Sequence, residues 1–473
     1  MRSMMFAVAT LAFASAASAQ QAPAPAVAPI SAEMQRTVER LRARALQDDT
    51  AWQTVEGLVT DIGPRLAGSD AEARARDWMV ARLRAQGFTN VHIEPFTIPF
   101  WDATREEAHI ISPGAQRLVI AALGGSASTP AGGLEAEVVR FTDMAALQAA
   151  APESVRGRIV FVDERMVRAQ DGAGYGVAVA KRGNCAPVAQ RLGAVACLIR
   201  AVGTDSNRFA HQGGSSRQRE SAHLPAASVS PADADILARL VARGPVRVHL
   251  DIETVTREDA PSGNVIAEIR GRERPNEIVL LAAHLDSWDL GQGAIDDGSG
   301  VAIVSAAARL IRELPRRPRR TIRLLIAGSE ETGVFGGAAY ARAHANDTHI
   351  VAAESDFGAG HIYAFGTRFS EAALPYGRAI QRQLAPLGII MGPNTADGGA
   401  DISGVRATGV PVVDLSQDGS YYFDYHHTAN DTLYAIDPED LRQNVAAWTV
   451  FAYMAAESDW VFAAPAAAPA ATQ

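Results

Sequence analysis

Histidine and carboxylate side chains follow an apolar run in the middle of the chain. Residues 278–283, IVLLAA, have the length and composition of a strand buried on both faces of a parallel sheet. An amphipathic helix is predicted from Val301 to Leu314. Imidazole and carboxylate together are the ligand mixture that suits zinc. Four such groups lie in the loop between this strand and this helix: His284, Asp286, Asp296 and Asp297.

Further acidic and imidazole side chains follow two more apolar runs and occupy a later loop. The carboxyl ends of parallel strands meet at one edge of the sheet, which is where open α/β folds bind ligands. The sequence therefore predicts that these groups gather with the first set around one metal centre. In chain order they are Glu330 and Glu331 after residues 322–327, Asp356 after residues 350–353, and His426 and His427 in the loop 425–432, YHHTANDT.

The whole chain is long and only mildly charged. Its 473 residues are 48% hydrophobic, which is enough to bury a large core and to form more than one domain. The net charge of -9 comes without a basic stripe that is interleaved with aromatic residues, so nucleic acid is not expected as a partner. Neither Gly-x-Ser-x-Gly nor Gly-x-Gly-x-x-Gly occurs, which disfavours a serine hydrolase and a dinucleotide site.

The first residues have the pattern of a secretory signal peptide. Arg2 precedes an apolar segment from Met4 to Ala14, and Ala17-Ser18-Ala19 supplies small residues for cleavage after Ala19. The apolar segment is shorter than the ~20 residues that a membrane span needs. We therefore predict a signal peptide at 1–19, an extended Pro/Ala linker at 20–30, and a secreted or periplasmic protein with no membrane attachment after cleavage.

Strand and helix patterns in the rest of the chain predict an α/β protein. From residue 262 onward, apolar strands and helices alternate, as expected for a mostly parallel, mixed sheet with crossover helices. Residues 113–258 differ, with Gly and Ala pairs between short β-branched segments, and we predict a separate, smaller α+β domain there. The catalytic domain is then split into residues 31–112 and 259–462, and residues 463–473 form a disordered tail.

These motifs together resemble those of the co-catalytic di-zinc exopeptidases, which include aminopeptidases and glutamate carboxypeptidases. The sequence DIGPRLAGS at 61–69 is similar to the branch of plasma glutamate carboxypeptidase, also called carboxypeptidase Q. KRGNC at 181–185 and LGAVACLI at 192–199 resemble a protease-associated domain. The motifs that carry the family resemblance are HLDS at 284–287, GAIDDGSG at 293–300, EE at 330–331, ESD at 354–356 and HTANDT at 427–432.

The resemblance implies a ligand role for five of the candidate residues. One zinc ion would be held by His284 and Asp356, and a second by Glu331 and His427. Asp296 would bridge the two ions.

The resemblance also implies roles for two residues that bind no metal. Glu330 would be the general base that takes a proton from the attacking water. Asp286 would orient His284 through the ring nitrogen that faces away from the metal.

Two adjacent histidines stand where the family usually has one. His427 is preferred to His426 as the ligand because Thr428 and the pair Asp431-Thr432 keep their family spacing to it. The resemblance further implies a cis peptide bond between Asp296 and Asp297.

The resemblance implies hydrolysis of short unblocked peptides, chiefly dipeptides, and a homodimer. A free substrate carboxylate would need a cation, and Arg406 is the nearest candidate to the loop 415–425. An aminopeptidase of broad specificity is the alternative within the family. A receptor-like ectodomain without activity and a single-zinc glutaminyl cyclase are alternatives of other classes, and the complete ligand set argues against both.

The two cysteines of the chain, Cys185 and Cys197, both lie in the segment 113–258. An exported protein permits a disulfide, but Cys197 has the pattern of a buried strand residue, so we expect free thiols. His211 and His223 in the same segment are expected to be solvated loop side chains.

Overall fold

The structure is a computed structural model that describes residues 26–214 and 224–462. The predicted signal peptide and its cleavage site, His223 and the predicted tail 463–473 lie outside these residues. Part of the predicted linker is described: residues 26–30 have no regular structure, and the N–H of Ala28 donates to the carbonyl oxygen of Pro375 at 3.0 Å. Among the helices of this described part, none has the length and apolar composition needed to cross a bilayer.

Fourteen strands of the described residues pair into one mixed sheet. They are β1 (Thr89–Ser112), β2 (Gln116–Leu118), β3 (Ile120–Ala122), β4 (Leu134–Phe141), β5 (Ile159–Val162), β6 (Ala196–Arg200), β7 (Ala226–Val229), β8 (Arg247–Ile269), β9 (Arg274–His284), β10 (Arg320–Ala327), β11 (Thr348–Glu354), β12 (Ile362–Arg368), β13 (Ile390–Met391) and β14 (Val412–Gln417).

Helices flank this sheet. Several begin at a side-chain cap of the kind that satisfies free N–H groups in the first turn, such as Ser31 and Ser69. The α-helices of the described part are α1 (Ala32–Ala45), α2 (Thr50–Gly57), α3 (Asp70–Ala85), α4 (Met144–Gln148), α5 (Pro152–Val155), α6 (Ala173–Ala178), α7 (Ala180–Arg191), α8 (Pro231–Val241), α9 (Ser299–Arg312), α10 (Phe335–Ala343), α11 (Leu374–Leu384), α12 (Ser403–Ala407), α13 (Tyr422–Tyr425) and α14 (Pro438–Glu457).

Three parallel strands carry predicted ligand residues at or just after their carboxyl ends. The order is β10-β9-β11, and β14 follows as the parallel neighbour of β11. The carboxyl-terminal halves of these strands are buried between helices on both faces, which is why their sequences there are mainly apolar rather than alternating. The predicted α/β fold with a mostly parallel, mixed sheet is confirmed.

Two long strands, β1 and β8, connect the two halves of the sheet. They pair with each other in antiparallel fashion from Thr89 opposite Glu268 to Ser112 opposite Arg247. One end of β8 pairs with β10, and the other end pairs with β4, so the strand order continues through β8 into β4, β5, β6, β7 and β3. The predicted boundary at residue 258 falls inside β8, and the division into domains stays a prediction.

Helix α9 follows the metal-binding loop directly and fixes where that loop ends. It begins at Ser299, two residues before the predicted start, and nearly all of it is buried. Gly300 makes this close packing possible, since a Cβ atom there would lie 2.0 Å from the carbonyl oxygen of Ser355 and 2.3 Å from the carboxylate of Asp297. The first turn of α9 therefore lies against the end of β11.

Two expectations about the segment 113–258 are wrong. Cys185 in α7 and Cys197 in β6 form a disulfide, with Cα atoms 6.2 Å apart. The strand pattern correctly indicated that Cys197 is buried, but it could not show that Cys185 faces it from the helix packed on that strand. His211 is only 1% exposed and pairs with Asp205 at 2.7 Å, so it is not a solvated side chain.

Candidate metal centre

Neighbouring strand ends bring the predicted ligands together. His284 is the last residue of β9 and lies opposite Ala327, the last residue of β10. Glu330 and Glu331 follow β10 after a short turn, and Asp356 comes two residues after β11. The parallel register thus delivers all four side chains to one edge of the sheet, as the sequence predicted.

Asp296 lies between two histidines. Its Oδ1 atom is 3.2 Å from Nε2 of His284, and its Oδ2 atom is 3.1 Å from Nε2 of His427. Nε2 of His284 is also 3.5 Å from Oδ1 of Asp356, and Nε2 of His427 is 3.0 Å from Oε2 of Glu331. The five side chains therefore form two donor groups that share Asp296, in the arrangement that the resemblance implied.

Backbone contacts hold the loop that carries Asp296. The Oδ1 atom of Asp431 accepts the N–H groups of Ala294 and Ile295, both at 2.7 Å. Asp297 accepts the N–H of His284 at 3.1 Å and the N–H of Gly300 at 2.9 Å, so its carboxylate stabilises the loop. The Asp296-Asp297 peptide bond is cis, as the resemblance implied.

Arg65, in the 61–69 motif, secures the other side of the same loop. Its side chain is wholly buried and donates to the carbonyl oxygens of Leu285, Gln292 and Gly293 at 2.5–2.8 Å. Burial lowers the pKa of Arg65, while nearby carboxylates such as Asp431 oppose this shift. Arg65 thus satisfies loop carbonyl groups that would otherwise be buried without a partner.

Asp286 contacts the centre in a way the sequence only partly indicated. Nδ1 of His284 lies 3.0 Å from the backbone carbonyl oxygen of Asp286 and 3.7 Å from its carboxylate. The carboxylate instead accepts the N–H groups of Glu330 and Glu331 at 3.0 and 3.2 Å. Asp286 therefore fixes the backbone of the Glu-Glu pair as well as the ring of His284.

The geometry separates the two members of each adjacent pair. Glu331 contacts His427, whereas within the described residues the carboxylate of Glu330 accepts no hydrogen bond and faces the cleft. His427 contacts both Glu331 and Asp296, whereas Nε2 of His426 is 3.5 Å from Asp296 only. The rings of the two histidines are stacked, with centroids 3.6 Å apart.

Electrostatics at the centre favour a bound cation. Burial raises the pKa of Glu330 well above its usual range, and repulsion from Asp356 and Glu331 adds to the shift. Burial also raises the pKa of Glu331 and of Asp356. Burial would do the same for Asp296, but hydrogen bonds from the two histidines hold its pKa well below the usual value. Against the effect of burial, Glu331 and Asp296 raise the pKa of His427 to about 9.

The donor set fits zinc. Donor atoms of His284, Asp296 and Glu331 lie within 4.8 Å of one another, as do those of Asp296, His426 and His427. Oε1 of Glu331 is buried without a hydrogen-bond partner in the described part of the protein. A cavity of about 10 Å³, the size of one ion or water, is lined by Asp296, Glu331 and His427. Imidazole and carboxylate donors around a space of this size suit zinc.

A cleft of about 780 Å³ opens onto the centre and contains side chains that sequence reasoning missed. Tyr175 and Arg182, both from the segment 113–258, line it, and Arg342 of α10 lies along its wall. Arg406, the predicted cation, instead pairs with Asp397, so that expectation is wrong. Arg182 belongs to the KRGNC motif, but nothing in that motif indicated that its guanidinium reaches a cleft formed by residues from Asp296 to His427.

Comparison with known proteins identifies the family. The model of peptidase family M28 matches residues 264–452, which include every predicted ligand. Carboxypeptidase Q of Bos taurus is 34% identical over 430 residues, which cover 90% of this chain and 89% of that protein. The chain belongs to peptidase family M28. It is therefore a metallopeptidase, and the resemblance seen in its sequence is confirmed.

Solved structures agree with the fold of this M28 peptidase. An M28 peptidase precursor from Shewanella amazonensis is 45% identical, with a TM-score of 0.89 over 91% of this chain and 98% of that one. A zinc aminopeptidase from Bacillus subtilis is 19% identical and shares the fold, with a TM-score of 0.62 over 87% of this chain and 95% of that one. The ligand and base roles of individual residues stay predictions.

Proposed function

We propose that this M28 peptidase hydrolyses short peptides with two free termini, chiefly dipeptides, at a centre that holds two zinc ions. The observation that carries the proposal is a set of imidazole and carboxylate donors that shares a cleft with a guanidinium, for which the described residues supply no carboxylate partner. The donor groups meet at Asp296, and the guanidinium is that of Arg182. The name of its relatives, carboxypeptidase Q, supports the same reading.

The residues around Asp296 would hold the two ions, and Glu330 would move the proton. His284 and Asp356 serve one ion, and Glu331 and His427 serve the other. Two zinc ions when bound polarise the scissile carbonyl and lower the pKa of a water toward neutrality. The carboxylate of Glu330, which accepts no hydrogen bond from the described residues, would accept the proton of that water and return it to the leaving amine.

Arg182 would bind the C-terminal carboxylate of the substrate. Its Nη2 atom donates to the hydroxyl of Tyr175 at 2.7 Å, and its Nε atom is buried without a partner. Nη1 lies 3.3 Å from Nδ1 of His427, but a protonated Nδ1 offers no lone pair to a guanidinium, which can only donate. No carboxylate pairs with Arg182 within the described residues, so a substrate carboxylate would supply the missing counter-charge.

Blocked dipeptides test this substrate class. We expect a free dipeptide to be cleaved with a kcat/KM about 10- to 100-fold higher than its C-amidated form, since a charge-assisted hydrogen bond contributes about 1.5–3 kcal/mol. The N-acetylated form should also be poor. Steady-state kinetics on the three matched peptides measure these ratios. Equal cleavage of the amidated peptide, or of an aminoacyl anilide, would make the enzyme an ordinary aminopeptidase.

A pair of arginine variants assigns the effect to one side chain. Arg182→Met should lower kcat/KM for the free dipeptide to nearly that of the amide and leave the amide rate unchanged. Arg342→Met is the matched control, because it removes a second cation that lines the same cleft. Arg342 lies on α10, whereas Arg182 lies on α7. Zinc content is measured in both variants, so that a change at His427 is not mistaken for lost substrate binding.

We also propose that the protein is exported and that its signal peptide is cleaved after Ala19. The pattern of residues 1–19 supports export, and so does the Cys185–Cys197 disulfide, because disulfides persist in oxidising compartments. N-terminal sequencing of the mature protein from its native host should read QQAPAP from Gln20. An intact Met1 on the mature protein would contradict cleavage.

A further inference from the structure

The segment 203–213, which follows β6, lies directly behind one side of the metal centre. It belongs to the region 113–258, which contributes none of the predicted ligands. Gln212 is 2% exposed and His211 is 1% exposed, so this part of the loop is packed inside the protein. A buried loop from that region therefore lies beside His427, one of the predicted ligands.

Gln212 and His427 exchange two hydrogen bonds. Nδ1 of His427 lies 3.1 Å from the carbonyl oxygen of Gln212, and the N–H of Gln212 donates to the carbonyl oxygen of His427 at 2.9 Å. Because the carbonyl oxygen of Gln212 can only accept, Nδ1 of His427 carries a proton and donates it to Gln212, which leaves Nε2, on the side of Glu331 and Asp296, for a metal. An acceptor in this position fixes both the tautomer and the orientation of a metal-binding histidine.

The same segment is attached to the ligand loop at a second point. The N–H of Thr204 donates to the carbonyl oxygen of Phe423 at 3.2 Å, and its hydroxyl donates to Asp424 at 2.7 Å. Arg168 donates to the same carboxylate at 2.7 and 2.9 Å. The stretch from Phe423 to His427 is therefore held at both ends by residues of the region 113–258.

A buried hydrogen bond between His211 and Asp205 sets the shape of the segment between these two points. Nε2 of His211 lies 2.7 Å from Oδ2 of Asp205, and the side chains are 1% and 4% exposed. The imidazole packs on Gly203, where a Cβ atom would lie 2.1 Å from Cε1 of His211 and 2.8 Å from the carbonyl oxygen of Phe423. Only glycine leaves room for the ring there. Since His211 precedes Gln212, the pair determines where the Gln212 carbonyl points.

We propose that Asp205 and His211 are positioning residues of the metal centre. They hold the Gln212 carbonyl against Nδ1 of His427 and thereby set the zinc affinity at the Glu331–His427 position. The inference rests on the proposed two-zinc centre. It gives the region 113–258 a role in metal binding in addition to the substrate contact of Arg182.

Zinc affinity in the full-length mature protein tests the proposal. Loss of an outer contact to a ligand typically weakens metal binding about 10- to 100-fold. In Asp205→Ala we expect the zinc at the Glu331–His427 position to dissociate with a constant raised by that factor, and the other zinc to stay. Competition with a chelator of known zinc affinity, together with zinc counted per chain by emission spectroscopy, measures both.

Three further variants distinguish a positioning role at the metal centre from a general contribution to the stability of the fold. Gly203→Ala should weaken binding of the same zinc, because its Cβ displaces His211 while Asp205 is unchanged. This variant is the test of the proposal if Asp205→Ala does not fold. Asp205→Asn should retain zinc within about threefold, since its amide oxygen still accepts from His211. Arg165→Ala breaks an exposed ion pair of the same region and should change neither zinc.

The outcomes distinguish failure of the inference from failure of the proposed function. If Asp205→Ala and Gly203→Ala fold and keep both zinc ions with unaltered affinity, the positioning role is wrong. The positioning role is also wrong if the zinc affinity of both positions falls equally and the Tm of the zinc-free variant lies well below that of the zinc-free parent. If the parent protein itself binds only one zinc per chain, the two-zinc function is wrong.

Discussion

Glu330→Gln is expected to lower kcat by about 10²- to 10⁴-fold while the protein keeps its zinc. The amide has the shape of the carboxylate but cannot take a proton from water. Glu330 contacts no other ligand in the described part of the chain, so no donor to a metal is lost. Turnover of a free dipeptide and zinc counted per chain measure the two effects separately.

Glu331→Gln is the matched control for this result. The same chemical change, one residue later, removes a carboxylate that lies 3.0 Å from His427. We therefore expect reduced zinc content along with reduced turnover. Should Glu330→Gln lose zinc and Glu331→Gln keep it, the roles of the two residues are reversed.

Asp296→Ala is expected to lose both zinc ions together and to have no measurable peptidase activity. One carboxylate places an oxygen beside each of the two histidines, at 3.2 Å from His284 and 3.1 Å from His427. Its removal therefore takes a donor from both positions at once. Zinc content after dialysis against a fixed free-zinc concentration measures the loss.

Asp356→Ala is the control for the loss of zinc in Asp296→Ala. Within the described residues the ion-pair contact of Asp356 is with His284, so its loss should empty one position and leave about one zinc per chain. If Asp296→Ala likewise retains one zinc, Asp296 serves a single ion, and the two-metal arrangement proposed for this centre is wrong.

Sequence patterns predicted the catalytic part of the fold because local and tertiary signals agree there. The runs that end at Ala283, Ala327 and Ala353 are apolar except for Arg323, as expected for strands covered on both faces, and polar residues follow each one within two positions. Parallel strands then require the polar groups to share an edge. This rule alone predicts that His284 and Asp356 lie close together.

Contacts between distant parts of the chain could not be predicted in the same way. Arg182 and Gln212 reach the centre through the packing of one half of the sheet against the other, and no periodicity encodes that arrangement. The disulfide depends on the direction in which Cys185 projects from α7, which requires the position of β6. Gln212 contacts His427 through its backbone carbonyl group. Every residue type has this group, so the amino-acid sequence does not indicate the contact.

The strand β8 makes the two halves of the sheet inseparable. Its Arg247–Leu250 end pairs with β4, its Val265–Ile269 end pairs with β10, and β1 covers one side along almost the whole length. Excision of residues 113–246 would leave the first of these ends as a bare edge, and a long unpaired edge is a template for association with other chains. We therefore expect the chain without residues 113–246 to associate with other chains rather than to remain a soluble smaller peptidase.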